Sequence, residues 1–587
     1  MNNHGIYYTK SPLLASRTPV WRSRFIIFCI AIGFMALIAR ASWVQLFDYG
    51  HLQEEADKRY VRTYQLSASR GEIHDRNGAT LASSIETPSL WASPVDVNIT
   101  DEQLKSLANL LGENQVDLKS ALSEAAKRNS EFFWLKRWAD EALAEKVLAL
   151  GIKGIHTQNE YRRHYPDQEV TAHVLGFTGV DDEGQEGVEL AFNDVLKGRL
   201  GQVQYVRDRL GNYVSIVDGR KEPLNGKNVL LSIDRRIQYF AYDTLRKTVD
   251  DLRAKSGSAV VVDTQTGEIL ALVNYPSYNP AIRGNLRGSM LRNRAVTDVF
   301  EPGSTIKPII VAKALDLGLV EPTTMINTAR GSLVISGKTI ADVGNYNKLT
   351  VQQVVQKSSN IGVVRIAMQM KPQEMWEVFK SLGFGEKVQI GFPGEAKGVL
   401  RAYNTWRPIE QATQAYGYGL SVSLLQLTQA YTVFARDGEI IPLTLLRNET
   451  PVKGVQVFSP KAAMQVREML HMSAQEGAAG ARARVEGYSV GGKSGTAIQV
   501  QGGGYASGSY RAWYVGLAPI NNPRLVVGIL IDDPNKDKER GGYYGGVAAA
   551  PAFSRIMESS LWFLGVVPDL PLAKLPPQTD SPDRRRI

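Results

Sequence analysis

Cysteine is almost missing from this chain: Cys29 is the only one among 587 residues. No intramolecular disulfide can form, and no zinc site can be built from cysteines. Histidine is scarce as well. Of seven, only His471 lies beyond residue 225, which favours a lysine over a histidine as any general base in that part of the chain. No His-Glu-x-x-His occurs, and neither a catalytic metal nor a cofactor is expected. Internal repeats and low-complexity tracts are absent. The net charge is +9, from 68 Lys and Arg against 59 Asp and Glu. The basic residues are scattered, without zinc-finger spacing or an RRM signature, so a solvated surface explains them and no nucleic acid is expected.

A composition of 43% hydrophobic and 22% charged residues is that of a globular protein, and the length calls for two or three domains. Residues 25–39 form a continuous apolar run that Arg40 interrupts and residues 41–47 extend. Such a segment spans a bilayer if Arg40 snorkels to the interface, with Trp21 and Trp43 at interfacial positions. Lys10, Arg17, Arg22 and Arg24 precede it with no acid among them, which puts residues 1–24 in the cytoplasm and the remainder outside. A cleaved signal peptide is the rival reading, through the small-x-small triplet Ala39-Arg40-Ala41. The uncleaved anchor, residues 25–47, is preferred because that triplet lies inside the run.

Residues 48–225 form a mixed segment with helical patterns over 101–111 and 141–150 and a strand-like piece at 202–207. Strands are expected at 228–234, 259–263 and 268–273, the last two joined by the turn Thr264-Gln265-Thr266-Gly267. Two more are expected at 512–517 and 525–531. Helices fall between them, at 308–317 and 424–434, and a final one at 549–563. Strands at both ends with helices between predict one α+β domain over 226–565. The Pro-rich residues 566–587, ending in three arginines, are expected to be a disordered tail.

Three short motifs fall within 226–565. Ser304-Thr305-Ile306-Lys307 follows the turn Glu301-Pro302-Gly303 and opens a helix. Residues three apart there share a face, so a desolvated, neutral Lys307 can take the proton of Ser304. Ser358-Ser359-Asn360 sits at a helix junction; Ser358 can relay a proton and Asn360 can donate to a substrate carbonyl. Lys493-Ser494-Gly495-Thr496 precedes an expected edge strand, residues 497–501. There a lysine and two hydroxyls can hold a carboxylate, and Gly495 admits a close backbone approach. A strand N–H, with that of Ser304, can form an oxyanion hole. Taken singly, each motif reads better as a helix cap, a polar junction or a turn. Their order within one domain is what specifies a serine acyltransferase.

Two other matches are chance. Gly487 to Ser494 fits a P-loop pattern, but no strand precedes it and no helix follows to hold phosphate. Gly487-Tyr488-Ser489-Val490-Gly491 fits a nucleophile elbow, but no histidine follows Ser489.

Around these motifs the chain resembles the class B penicillin-binding proteins, most closely the septal D,D-transpeptidase of Gram-negative bacteria, the penicillin-binding protein 3 type. The resemblance is carried by Asp298-Val299-Phe300-Glu301-Pro302-Gly303-Ser304-Thr305-Ile306-Lys307-Pro308, Lys357-Ser358-Ser359-Asn360 and Tyr416-Gly417-Tyr418-Gly419-Leu420. Two non-catalytic boxes add to it, Arg70-Gly71-Glu72-Ile73-His74-Asp75-Arg76-Asn77-Gly78 and Gly184-Gln185-Glu186-Gly187-Val188-Glu189. It implies an inner-membrane anchor, a pedestal (dimerisation-type) domain over 48–225 and a β-lactamase-like transpeptidase domain over 226–565. It further implies Ser304, Lys307, Ser358 and Asn360 as catalytic, and Lys493, Ser494, Gly495 and Thr496 as substrate-binding. The implied substrates are peptidoglycan stem peptides ending in D-Ala-D-Ala, with β-lactams as mimics. The implied partners are a polytopic septal glycan polymerase and other division proteins. A bifunctional enzyme is not expected, since no glycosyltransferase segment is evident. A β-lactamase would need a base for its deacylating water, and no Glu-x-x-Leu-Asn segment supplies one; a non-catalytic scaffold would not need the intact motifs.

Overall fold

The computed structural model describes residues 19–52, 61–207, 213–282, 288–501, 504–535 and 542–571. They fall into two compact units, one from residues up to 67 with 200–224, the other from 68–199 with 225 onward. In the first unit, helix Val20–Trp43 continues through a π-helical turn, Val44–Asp48. No residue of either segment is buried. At 1.5 Å per residue the 24-residue helix is about 36 Å long, enough for a hydrocarbon core of about 30 Å. It starts before the expected residue 25 because Trp21 to Arg24 continue the helix outward from the apolar run. Arg40 lies in its last turn, 3.7 Å from Asp48. The same unit holds an antiparallel sheet of Val61–Leu66, Gly201–Arg207 and Tyr213–Lys221. The segment expected as one domain over 48–225 therefore contributes to both units, and residues 68–199 fold with the catalytic part.

The centre of the second unit is a five-stranded antiparallel sheet of β1 (Ser256–Asp263), β2 (Ile269–Tyr275), β3 (Gly491–Gln501), β4 (Gly504–Ala518) and β5 (Leu525–Asp532), in the order β2-β1-β5-β4-β3. Both ends of the catalytic segment supply strands, as the sequence predicts. Every residue of β1 is buried, because both faces of the sheet are covered. Four helices matter here: α1 (Arg235–Asp251), α2 (Lys307–Asp316), α3 (Asn360–Ala367) and α4 (Ala550–Phe563). On one face, Ile237, Ala241, Leu245 and Val249 of α1 meet Phe553, Ile556 and Leu561 of α4 over Val261, Tyr514 and Ile529. The spacing of four along α1 gives it a single apolar stripe. On the other face, α2 and α3 join a core with Val260, Val262, Trp513 and Val515. The strand expected at 228–234 shrinks to Val229–Leu230, and Asp234 instead caps α1 through Arg236 N. The helix expected over 424–434 is two, Leu424–Ala430 and Thr432–Ala435.

In residues 68–199, the long strand Thr80–Ala92 pairs with Ile155–His164, and helices Asp101–Leu111, Gln115–Lys127 and Glu141–Leu148 build a separate core on it. The two non-catalytic boxes meet here. Arg70 Nε donates to Glu189 Oε2 at 2.6 Å, and Arg163 Nε donates to Glu189 Oε1 at 2.7 Å, all three side chains buried. Further along the first box, Arg76 donates to Glu268 at the β1–β2 turn, and Asp75 accepts from the backbone of Arg235. This box thus ties residues 68–199 to the start of the catalytic domain. Residues 566–571, assigned from sequence to a disordered tail, are instead bonded in place: Tyr488 donates to Val566 O and Ser489 to Asp569. Residues 572–587 lie outside those described.

Glu189 is the acid that pairs directly with both buried guanidinium groups, so its loss removes the ion-pair partner of two buried charges. Glu189→Ala is expected to destabilise the fold by about 3–5 kcal/mol. Thermal unfolding of the purified full chain checks this; a shift no larger than that of a surface Glu→Ala control would show that the triad is dispensable.

Candidate active site

The sequence Glu301-Pro302-Gly303 makes a sharp turn. Gly303 has φ +51°, a conformation that costs glycine little. Residues Gly303–Ile306 form one 3₁₀ turn that runs into α2, with Pro308 in its first turn where no backbone N–H is needed. Ser304 is half-exposed at this entrance. Gly303 N donates to Gly417 O at 3.1 Å, and a Cβ on Gly417 would lie 2.2 Å from Gly303 O. The Tyr416–Leu420 box therefore sets the nucleophile turn by backbone contact.

Lys307, one turn into the helix, is completely buried. Its Nζ donates to Ser358 O at 2.5 Å and to Ser358 Oγ at 3.1 Å. Direct contact of the amine with Ser304, expected from the i, i+3 spacing, is replaced by this pair, and Ser304 Oγ makes no hydrogen bond among the described residues. The reason lies in Ser358, whose φ of +58° is rare for a non-glycine residue and turns its carbonyl toward the amine. Burial holds the Lys307 ammonium well below its usual range, and the like charge of Lys493 adds to this, while Asp342 opposes it.

Nothing in the sequence distinguishes Asp342 from other loop acids. It accepts from Ser359 Oγ at 2.5 Å and from Ile361 N at 3.0 Å, and Ser359 Oγ caps α3 through Gly362 N. It thus fixes the Ser358-Ser359-Asn360 junction. Asn360 Nδ2 donates to Ala341 O at 2.9 Å, so one face of its amide is already committed.

The third motif lies within β3, the strand at the edge of the sheet. Lys493 is buried and its ammonium is lowered to about 8 by desolvation. Thr496 Oγ1 accepts from Gly545 N at 2.9 Å, which leaves its proton outward. Trp513, the register partner of Gly495 on β4, is the second residue missed from sequence. A Cβ on Gly495 would come within 2.2 Å of its ring, and one on Gly303 within 3.2 Å. One buried indole thus sets the distance between the nucleophile turn and β3, and Trp513 Nε1 donates to Thr305 Oγ1 at 3.4 Å. The P-loop match dissolves, since Lys493 and Ser494 are in a strand with no helix after it. Ser489 of the apparent nucleophile elbow is bonded to Asp569 and accepts from Ile520 N at 2.8 Å.

A half-exposed serine beside a buried, charge-depressed lysine, facing a strand edge that carries a second buried lysine, defines a serine acyltransferase of the Ser-x-x-Lys class. Comparison with known proteins agrees. Residues 257–558 match the penicillin binding protein transpeptidase domain and residues 65–231 the penicillin-binding protein dimerisation domain. The chain is 42% identical over 95% of its length to the probable peptidoglycan D,D-transpeptidase PenA of Neisseria gonorrhoeae, covering 96% of that protein. It is 37% identical over 94% of its length to the peptidoglycan D,D-transpeptidase FtsI of Escherichia coli, covering 93% of it. Among solved structures, the transpeptidase domain of Burkholderia pseudomallei penicillin-binding protein 3 is 48% identical over 58% of this chain and 98% of that one, with a TM-score of 0.54. A peptidoglycan synthetase of Bifidobacterium adolescentis is 25% identical over 87% of this chain and 98% of that one, with a TM-score of 0.68. The chain belongs to the penicillin-binding protein transpeptidases, of the type that joins a dimerisation domain to a transpeptidase domain.

The two lysines predict a bell-shaped pH profile for acylation. With Lys307 as base, which requires the neutral amine, the rate is expected to rise with pH through its depressed pKa. With Lys493 as the carboxylate's partner, which requires the ammonium, the rate is expected to fall as pH passes about 8. Lys307→Arg keeps the charge but cannot deprotonate; it is expected to lose at least ~10²-fold in second-order acylation. Near-normal acylation by this variant would leave Ser358 with a water as the better base.

Proposed function

We propose that this protein cross-links peptidoglycan stem peptides at the division septum through an acyl-enzyme on Ser304, and that β-lactams trap the same serine. The observation that carries the reading is Lys307: a buried, depressed lysine one turn from a half-exposed serine and hydrogen-bonded to a second serine. Neutral Lys307, directly or through Ser358, takes the Ser304 proton as Oγ attacks the penultimate D-Ala carbonyl. The Ser304 N–H, in the first helical turn and without an intrahelical partner, and a β3 N–H receive the oxyanion. Lys493, Ser494 and Thr496 hold the terminal carboxylate, with Gly495 admitting the ligand, and Asn360 orients the donor amide. The proton passes to the leaving D-Ala amine, and the amine of a neighbouring stem then resolves the ester.

PenA and FtsI are named as peptidoglycan D,D-transpeptidases, and this supports the substrate class. The basic residues before the apolar run support a cytoplasmic N-terminus in the inner membrane with the catalytic domain in the periplasm. A polytopic septal glycan polymerase and other division proteins are the proposed partners, reached through the anchor and residues 48–225.

Ser304→Ala is expected to abolish covalent labelling by a fluorescent penicillin while the unfolding temperature stays unchanged; mass spectrometry finding an adduct on another residue would overturn the assignment. Lys493→Ala is expected to erase discrimination between ligands with and without the carboxylate, a loss on the scale of one charge-assisted bond. Discrimination that survives would remove Lys493 from the carboxylate site.

A further inference from the structure

On α3, at the end away from Asn360, lies a groove of about 410 Å³ that no motif residue lines. Its floor includes Val364, Arg365 and Met368, and its walls come from strands Met325–Asn327 and Ser332–Ile335. Met325 and Met368 are exposed, and Leu333 and Ile335 are half-buried on one face of their strand. Exposed apolar surface gathered in one concavity marks an interaction site, and methionine adapts to what fills it. The only charge in the lining is Arg365. Its side chain forms no ion pair and no hydrogen bond among the described residues, and its Nε is buried. Buried donors are normally paired, so the occupant brings an acceptor, and an anionic acceptor matches the charge.

The strands define the kind of occupant. Met325–Asn327 pairs only with Lys348–Thr350, and Ser332–Ile335 only with Lys338–Ala341. Each thus keeps one edge without a partner strand among the described residues. The groove touches 325–327 and 332–335 but neither partner strand, so it opens on those free edges. Ser336 and Gly337, with φ +48° and +75°, form a two-residue turn. The ladder therefore bonds Ile335 with Lys338 and Leu333 with Ile340, and in the same phase Asp342 N donates to Gly331 O at 3.1 Å. Val334 is left with its N–H and C=O turned outward at the edge. A lipid anion would match Arg365 and the apolar side chains but has nothing to offer this edge; an extended peptide has. We infer that the groove docks an extended segment of a partner protein, which adds a strand beside 332–335, sets apolar side chains against Met325, Val364 and Met368, and pairs an Asp or Glu with Arg365. This places a partner surface on the catalytic part of the chain, apart from the anchor and residues 48–225.

The test pans random octapeptides against the full-length protein in lipid nanodiscs, with penicillin in excess to close the catalytic cleft. Selected peptides are then synthesised and titrated by fluorescence polarisation. They are expected to carry an acid between apolar residues and to lose at least about tenfold in affinity against Arg365→Glu, the scale of one charge-assisted bond. Arg365→Lys is expected to recover part of the loss. The same peptides with the acid changed to lysine are expected to bind Arg365→Glu better than wild type, which also shows that this variant is folded. N-methylation of the peptide is expected to weaken binding at alternate positions only, as pairing along one strand edge requires. Selection of no peptide, or of peptides indifferent to Arg365, would overturn the docking site, and indifference to N-methylation at every position would overturn the strand pairing. Dodecyl phosphate that binds wild type but not Arg365→Glu, with no peptide selected, would assign the groove to a small amphipathic anion instead of a protein.

Discussion

Two buried lysines in one cleft are the constraint on which the rest of this site depends. An ammonium stripped of water is costly unless it is paired, and a lysine can escape the cost by losing its proton. Among the described residues, Lys307 makes no ion pair with a carboxylate. It meets the carbonyl and hydroxyl of Ser358 instead, partners that serve an ammonium as donor and leave a neutral amine in the same place. Lys493, buried on the facing strand, pushes in the same direction. Asp342 is held off by its bonds to Ser359 and Ile361, close enough to oppose the shift but engaged in positioning the junction. The same arrangement that favours a neutral Lys307 makes the cleft unfavourable for two cations; under the proposed function, an anionic ligand would relieve this at Lys493.

Such a site needs tolerances set by something rigid. The nucleophile turn and β3 are some 190 residues apart in sequence, and a Cβ on Gly303 would come within 3.8 Å of Thr496 O, so their spacing needs a support. Trp513 supplies it from beneath, with glycines at 303 and 495 cut to its ring, and Tyr431 and Trp513 hold Thr305 from two sides. Dense packing of this kind transmits misplacement directly. A methyl group on Gly495 would have to move an indole that is itself a core residue on both the turn and the sheet.

What could be read from the sequence follows from this. Ser304, Lys307, Ser358, Asn360 and the 493–496 run are recognisable because their chemistry demands particular residue types at fixed spacing within one turn or one strand. The sheet was legible because β1 and β5 are rich in valine and isoleucine, with Val260, Val261 and Val262 in one and Val526, Val527, Ile529 and Ile531 in the other, and the final helix because its apolar positions repeat at helical spacing. Trp513 and Asp342 were not, since their roles exist only after strands and loops distant in sequence are brought together. The contact of Lys307 with Ser358 rather than Ser304 was hidden for a related reason: a helical i, i+3 rule cannot anticipate a left-handed serine arriving from another element. Division of the 48–225 segment between two units was likewise unreadable, because composition does not change where residues 61–66 pair with 201–206.

The non-catalytic boxes carry the same lesson at a larger scale. Arg70 and Glu189 lie in different boxes, and neither offers any chemistry in sequence. Brought together with Arg163, they form a buried triad whose net charge is positive, and loss of its one glutamate strands both guanidinium charges. A hydrophobic trio could stabilise the same spot at least as well. What the triad adds is direction: Glu189 takes the Nε of each guanidinium on a separate oxygen, which fixes the angle at which residues 70–78 leave that core. Five residues later Asp75 and Arg76 are bonded to Arg235 and Glu268 at the root of the catalytic sheet. An ionic core at the start of the box and ionic contacts at its end make it a rigid strut, and a rigid strut is what a catalytic domain needs if it is to be held at a set orientation to the neighbouring fold rather than tethered beside it.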